Sequence, residues 1–89
     1  MQRQEIEIVN KLGLHARAAA KLVSTAGRYA SHVSLKLGSQ EADAKSIMAV
    51  MMLAAAKGSL VEISCDGADE DQAMQALTEL INDHFGEDE

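Results

Sequence analysis

Few residues in this chain can carry group-transfer or metal chemistry: His15, His32, His84 and Cys65. They lie far apart, so no metal-ligand spacing forms, and Cys65 has no second cysteine to pair with. His15 stands apart because of its setting, Gly13-Leu14-His15-Ala16-Arg17. A loop, Asn10–Leu14, ends just before it and a helical pattern begins just after it. No Ser, Thr, Asp or Asn occupies the helix cap; His15 does. A helix N-terminus offers unpaired N–H groups and the positive end of the dipole, which together form an anion site. A phosphate attached to this ring would meet the backbone amides of Ala16 and Arg17 and the Arg17 guanidinium, a planar and always charged donor. The positive setting also disfavours imidazolium and leaves the ring neutral and nucleophilic. Phosphoryl transfer needs mainly positioning and charge stabilisation, so one His and one Arg suffice on a carrier. By spacing alone, the same pair reads more often as a capping residue beside a surface arginine.

The elements that must hold this histidine follow from the patterning. Glu5-Ile6-Glu7-Ile8 alternates polar and apolar, as a half-buried strand does. Ala16–Ala26 forms a helix with Ala19, Leu22, Val23 and Ala26 on one face and Gly27 as its stop. His32–Leu37 is a strand with Val33, Leu35 and Leu37 inward, followed by a Gly38-Ser39 turn and a short return strand, Gln40–Ala44. Ser46 caps a second helix, Ile47–Ala56, which ends at Lys57-Gly58. Leu60–Cys65 is the fourth strand, with Val61, Ile63 and Cys65 inward. Asp69 and Gln72 have capping-box spacing at the start of a last helix, Asp69–Phe85. Its buried or half-buried face is Ala73, Leu77, Leu80, Ile81 and His84, and the tail Gly86–Glu89 is expected to fray. The order β-α-β-β-α-β-α predicts an α+β fold, a single antiparallel sheet covered on one face by helices.

Composition narrows the function classes. The chain has 89 residues and is expected to fold as one domain, 1–89, with little room for an internal substrate cavity. Aromatics are 2% of residues and the net charge is −6, from 8 basic and 14 acidic residues. Nucleic-acid binding wants stacking rings or a basic face, so it is excluded. The longest apolar run, Ile47–Ala56, is about half of the roughly 20 residues that span a bilayer, and no apolar leader opens the chain. With one cysteine as well, the expected setting is cytoplasmic, with no membrane contact.

Gly13-Leu14-His15-Ala16-Arg17 resembles the phosphohistidine signature of the HPr family of the bacterial phosphotransferase system. Lys45-Ser46-Ile47-Met48-Ala49-Val50-Met51 resembles that family's regulatory-serine region at the matching separation, and Ala55-Ala56-Lys57-Gly58 and Asp66-Gly67-Ala68-Asp69-Glu70 continue the match over nearly the whole chain. The resemblance implies an open-faced β-sandwich, four antiparallel strands with three helices on one face. It implies a phosphocarrier rather than an enzyme, with no cofactor. His15 would accept phosphate on Nδ1 from phosphorylated enzyme I, itself charged by phosphoenolpyruvate, assisted by Arg17 and the Ala16 amide, and pass it to an enzyme IIA component in sugar uptake or linked regulation. It further implies a docking surface of Ala20, Ser24, Gly27, Lys45, Ile47, Met48 and Met51. One departure is Ala18, where many relatives carry a proline that would stiffen the first helical turn. No chemical group is lost by it.

A helix lying on one face of a sheet buries only one side. Val50, Leu53 and Ala54 share a side, which leaves Ile47, Met48 and Met51 exposed, and flexible methionines suit a surface that meets several partners. Ser46 is an ordinary cap, and through the resemblance also a site for HPr kinase/phosphorylase, where a dianion would disfavour docking of acidic partners. A monomer keeps this face open. His32 and His84 read as structural residues and Cys65 as a small core hydrophobe. Other readings are a regulatory interaction module that has dispensed with phosphotransfer, which the intact His15 and Arg17 disfavour, and a metal site, which the spacing disfavours. An independent enzyme would need paired carboxylates, a nucleophile with its base or a Gly-rich phosphate loop, and none is present.

Overall fold

The computed structural model describes residues 1–87. Strands β1 (Gln2–Glu7), β2 (His32–Leu37), β3 (Gln40–Asp43) and β4 (Leu60–Asp66) form one sheet in the order β1-β4-β2-β3, every neighbouring pair antiparallel. Helices α1 (Ala16–Ala26), α2 (Ile47–Met52) and α3 (Glu70–Asn82) cover one face, and a short 3-10 turn, His84–Gly86, closes the chain. This is the open-faced sandwich expected from the element order.

Register explains the core. Val33 opposes Cys65, Leu35 opposes Ile63, and Ile6 opposes Val61, so the inward residues of three strands line one buried face. Ala18, Ala19, Leu22 and Ala26 of α1, Val50 of α2, and Ala73, Leu77 and Ile81 of α3 pack onto it. Small alanines on α1 let that helix lie close to the sheet, which is how a chain with few rings still fills its interior. Phe85 is the one ring wholly inside.

Several boundaries differ from the sequence expectation, each for a long-range reason. β1 begins at Gln2 rather than Glu5, because Gln2–Gln4 pairs with Ile63–Cys65 although those side chains are exposed and show no alternation. The Met1 ammonium (2.9 Å to Glu70 Oε2) and Gln2 (2.7 Å to Asp71 Oδ1) further tie the chain start to α3. Helix α2 stops at Met52, short of the expected Ala56. Ala54 turns to φ 52°, which breaks the helical run, and the Ala55 carbonyl beyond it accepts the Leu14 amide at 2.9 Å. As a result Ala55, not Ala54, joins Val50 and Leu53 inside. The expected Asp69–Gln72 capping box is absent: the Asp69 carboxylate instead accepts the Ala30 and Ser31 amides (2.8 and 2.9 Å) and the Ser31 hydroxyl. Gly27 ends α1 in right-handed helical geometry, φ −66°, without using glycine's freedom.

The chain end departs most. Helix α3 ends at Asn82, not Phe85, and His84, Phe85 and Gly86 follow with φ of 57°, 56° and 76°. Lys21 Nζ donates to the Phe85 carbonyl at 2.6 Å. Gly86 and Glu87, expected to fray, are held against the body of the protein, while residues 88–89 of that tail lie outside the described part.

Candidate functional site

His15 is the N-cap of α1, with extended backbone (φ −71°, ψ 176°). Its ring is fixed on both nitrogens. Nδ1 accepts the Arg17 backbone N–H at 3.2 Å, and Nε2 is hydrogen-bonded to the Glu87 carboxylate. The His15 side chain keeps 26% of its surface open, so a partner can reach it. The Arg17 side chain is exposed beside it, and Ala16 is the first residue of the helix.

The loop before the ring is held by an unusual fit. Gly13 has φ +65°, and a Cβ there would come within 2.5 Å of the Ala55 carbonyl oxygen, so glycine alone lets this loop lie on the end of α2. Asn10 is fully buried beneath the loop. Its Nδ2 donates to the Gly13 carbonyl at 2.9 Å and to Glu87 Oε1 at 3.1 Å. The Asn10 amide foremost, with the His15 ring and Lys21, holds the Glu87 carboxyl below its usual range, against burial, which pushes it up. The ring therefore does not sit in the purely positive setting that its sequence neighbours imply: a carboxylate ion faces its far side.

The second helix start is simpler. Ser46 Oγ accepts the Ala49 N–H at 3.3 Å and its carbonyl accepts the Val50 amide at 3.0 Å, as a cap residue does. Helices α1 and α2 pack together, and the six residues of α2, about 9 Å of rise, lie between Ser46 and the stretch around Ala55 on which the His15 loop rests. Ile47 (40%), Met48 (66%) and Met51 (38%) are exposed as expected. Ala20, Ser24 and Gly27 are exposed on α1, and Ala20 and Ser24 line a shallow groove with Arg28 and Leu80. The Lys45 ammonium is held by the Tyr29 carbonyl at 2.7 Å, which ties this residue to the turn after α1. Met52 (75%) and Leu12 (67%) extend the apolar face, and the sequence reading left them out. His32 is exposed, His84 half-buried, and Cys65 wholly buried with its thiol pushed up by burial. Among the described residues, no three His, Cys, Asp or Glu side chains converge as a metal site.

The family described as PTS HPr component phosphorylation site matches residues 2–83. The chain belongs to the HPr family. It is 55% identical to the phosphocarrier protein HPr of Neisseria meningitidis serogroup A over 89 residues, covering 100% of both chains. The phosphocarrier protein NPr of Escherichia coli is 40% identical over 87 residues, 97% of each. The crystal structure of HPr-C-His from Thermoanaerobacter tengcongensis has a TM-score of 0.96 at 43% identity, covering 100% of each chain. As a member of the HPr family the chain is a phosphocarrier of the phosphotransferase system, a phosphorylated intermediate and not an enzyme in its own right. Its partners are components of that system, of the enzyme I and IIA kinds. Among the described residues no helix is long and apolar enough to cross a membrane.

Asn10 and Glu87 went unnoticed in the sequence. They stand 5 residues before and 72 after His15, and a Glu near a chain end or an Asn in a loop is ordinary. The one available signal was Phe85, a large apolar residue placed two before Glu87, which has to be buried and so must bring the end of the chain inward.

Proposed function

We propose that His15 is the phosphoryl acceptor. Nδ1 attacks the phosphorus carried by phosphorylated enzyme I; the N–P bond forms as the donor's bond to phosphorus breaks, and that electron pair leaves with the donor. Transfer to a IIA component is the same step run onward, the pair returning to Nδ1. No proton has to move, because the lone pair that attacks is already free of hydrogen.

The observation that carries this reading is the hydrogen bond from the Arg17 amide to Nδ1. A nitrogen that accepts from an N–H has no hydrogen of its own. When Nδ1 spends its lone pair on phosphorus, the Arg17 amide is released at the helix N-terminus, where it can donate to a phosphate oxygen. The Ala16 amide and the Arg17 guanidinium complete the donors. Ala20, Ser24, Gly27, Lys45, Ile47, Met48 and Met51, widened by Leu12 and Met52, form the face that donor and acceptor share in turn. The chain acts in the cytoplasm as a monomeric unit, residues 1–89. Its greater identity to the HPr relative than to the NPr relative favours the sugar-uptake branch.

Ser46 is the regulatory site in the same proposal, a substrate for HPr kinase/phosphorylase. Its hydroxyl serves the helix as an acceptor, a role phosphate oxygens also fill, so a phosphate there keeps the cap while placing a dianion beside the exposed Ile47 and Met48. The regiochemistry of His15 tests the main reading. After reaction with phosphoenolpyruvate and enzyme I, nitrogen-15 and phosphorus-31 spectra should place the phosphoryl group on Nδ1. A group on Nε2, or on another residue, overturns it.

A further inference from the structure

The protein holds a carboxylate against the ring nitrogen that the transfer step leaves unused. Glu87 is brought there at some expense: His84, Phe85 and Gly86 take three successive left-handed conformations, two of them at residues with side chains that disfavour it. Burial of Phe85 and the Lys21 bond to its carbonyl offset this. The path ends with Glu87 Oε1 on the buried Asn10 amide and Oε2 on His15 Nε2. Among the described residues the Asn10 Nδ2 donates to Glu87 and to the Gly13 carbonyl, while its Oδ1 is buried without a partner.

We propose that Glu87 is a positioning residue for phosphoryl transfer, holding the Nε2–H of His15 so that Nδ1 faces the donor and a negative charge stands opposite the ring. This rests on the reading of His15 as the acceptor. The two contacts agree on one tautomer. An ionised carboxylate can only accept, so Nε2 carries the hydrogen, and the Arg17 amide can only donate, so Nδ1 does not. Forming the N–P bond leaves Nε2–H in place and turns the neutral ring cationic. The charge appears in contact with Glu87 and is withdrawn again when the phosphoryl group leaves. Because Glu87 binds the far nitrogen, it does not have to move aside for the partner. Lys21, on α1, is a positive group that acts on the Glu87 carboxylate together with the His15 ring.

The test uses the full chain with Glu87→Ala and Glu87→Gln. Single-turnover acceptance from phosphorylated enzyme I is timed, and the phosphorus-31 shift of the phosphorylated protein is followed against pH to find where Nε2 releases its hydrogen. Glu87→Ala should slow acceptance about tenfold and lower that pH midpoint by about one unit, since the cation has lost its counter-charge. Glu87→Gln, which keeps an oxygen for Nε2–H but no charge, should recover part of the rate and none of the midpoint. A wild-type rate in Glu87→Ala overturns the inference. So does a slower rate with an unchanged midpoint, which would make the tail a docking element. Absence of phosphate on His15 in the wild type is seen before any variant is made and overturns the function and this inference together.

Discussion

Two helices of this molecule start with a residue that can take a phosphate, and they are built in opposite ways. At α2, Ser46 caps its own helix through bonds to Ala49 and Val50, both within four residues. At α1, the His15 ring joins the Arg17 amide with Glu87, which comes from the far end of the chain, while the loop that presents it rests on Ala55. One site is local. The other is an assembly of three segments, and it is the site proposed to accept and release the phosphoryl group. A carrier that passes phosphate in both directions needs its nucleophile held in a single orientation, and distant contacts supply what neighbours in sequence cannot.

If that contrast is right, remote substitutions should damage the His15 end and spare the Ser46 end. The largest effect is expected at Phe85. Phe85→Ala removes the one fully buried ring and should lower stability by about 3–5 kcal/mol, measured by urea unfolding, and release Glu87 from the ring. Gly13→Ala is next. The added methyl meets the Ala55 carbonyl and the φ of +65° disfavours it, so stability should fall by about 1–3 kcal/mol and phosphate acceptance should slow. Calorimetry and a transfer assay read the two. An unchanged transfer rate would show that the loop need not rest on α2.

Ser46→Ala probes the local end. Loss of the cap should cost about 1 kcal/mol and leave acceptance by His15 unaltered. A drop in acceptance would break the separation of the two sites. The smallest effect concerns pH. The Ser31 hydroxyl and the Ala30 and Ser31 amides hold the Asp69 carboxyl below its usual range. A group depressed in the folded state stabilises above its unfolded value, near 4, and that contribution fades as pH falls through the folded value. Wild type should therefore lose more of its stability between pH 6 and pH 3 than Asp69→Asn does.

The same contrast explains what was readable beforehand. Helix α1 and its histidine cap, Ser46, the inward faces of β2 and β4, and the exposure of Ile47, Met48 and Met51 all follow from patterns spanning a few residues. The end of α2 was not readable, because Ala54 turns to φ 52° where the chain meets Leu14, whose amide donates to the Ala55 carbonyl from 41 residues earlier. Asp69 reads as a cap but has better donors at Ala30 and Ser31. Glu87 reads as tail until the burial of Phe85 brings it to the ring. Each miss is a side chain or carbonyl that met a distant partner in place of a near one.

The central claim is that His15 alone accepts the phosphate that enzyme I delivers. Intact mass of the wild type and of His15→Ala, after incubation with phosphoenolpyruvate and enzyme I, tests it most directly. The wild type should gain one phosphate that is lost in acid and survives base, and His15→Ala should gain none. A phosphate on the variant, or one on the wild type that withstands acid, would contradict the account.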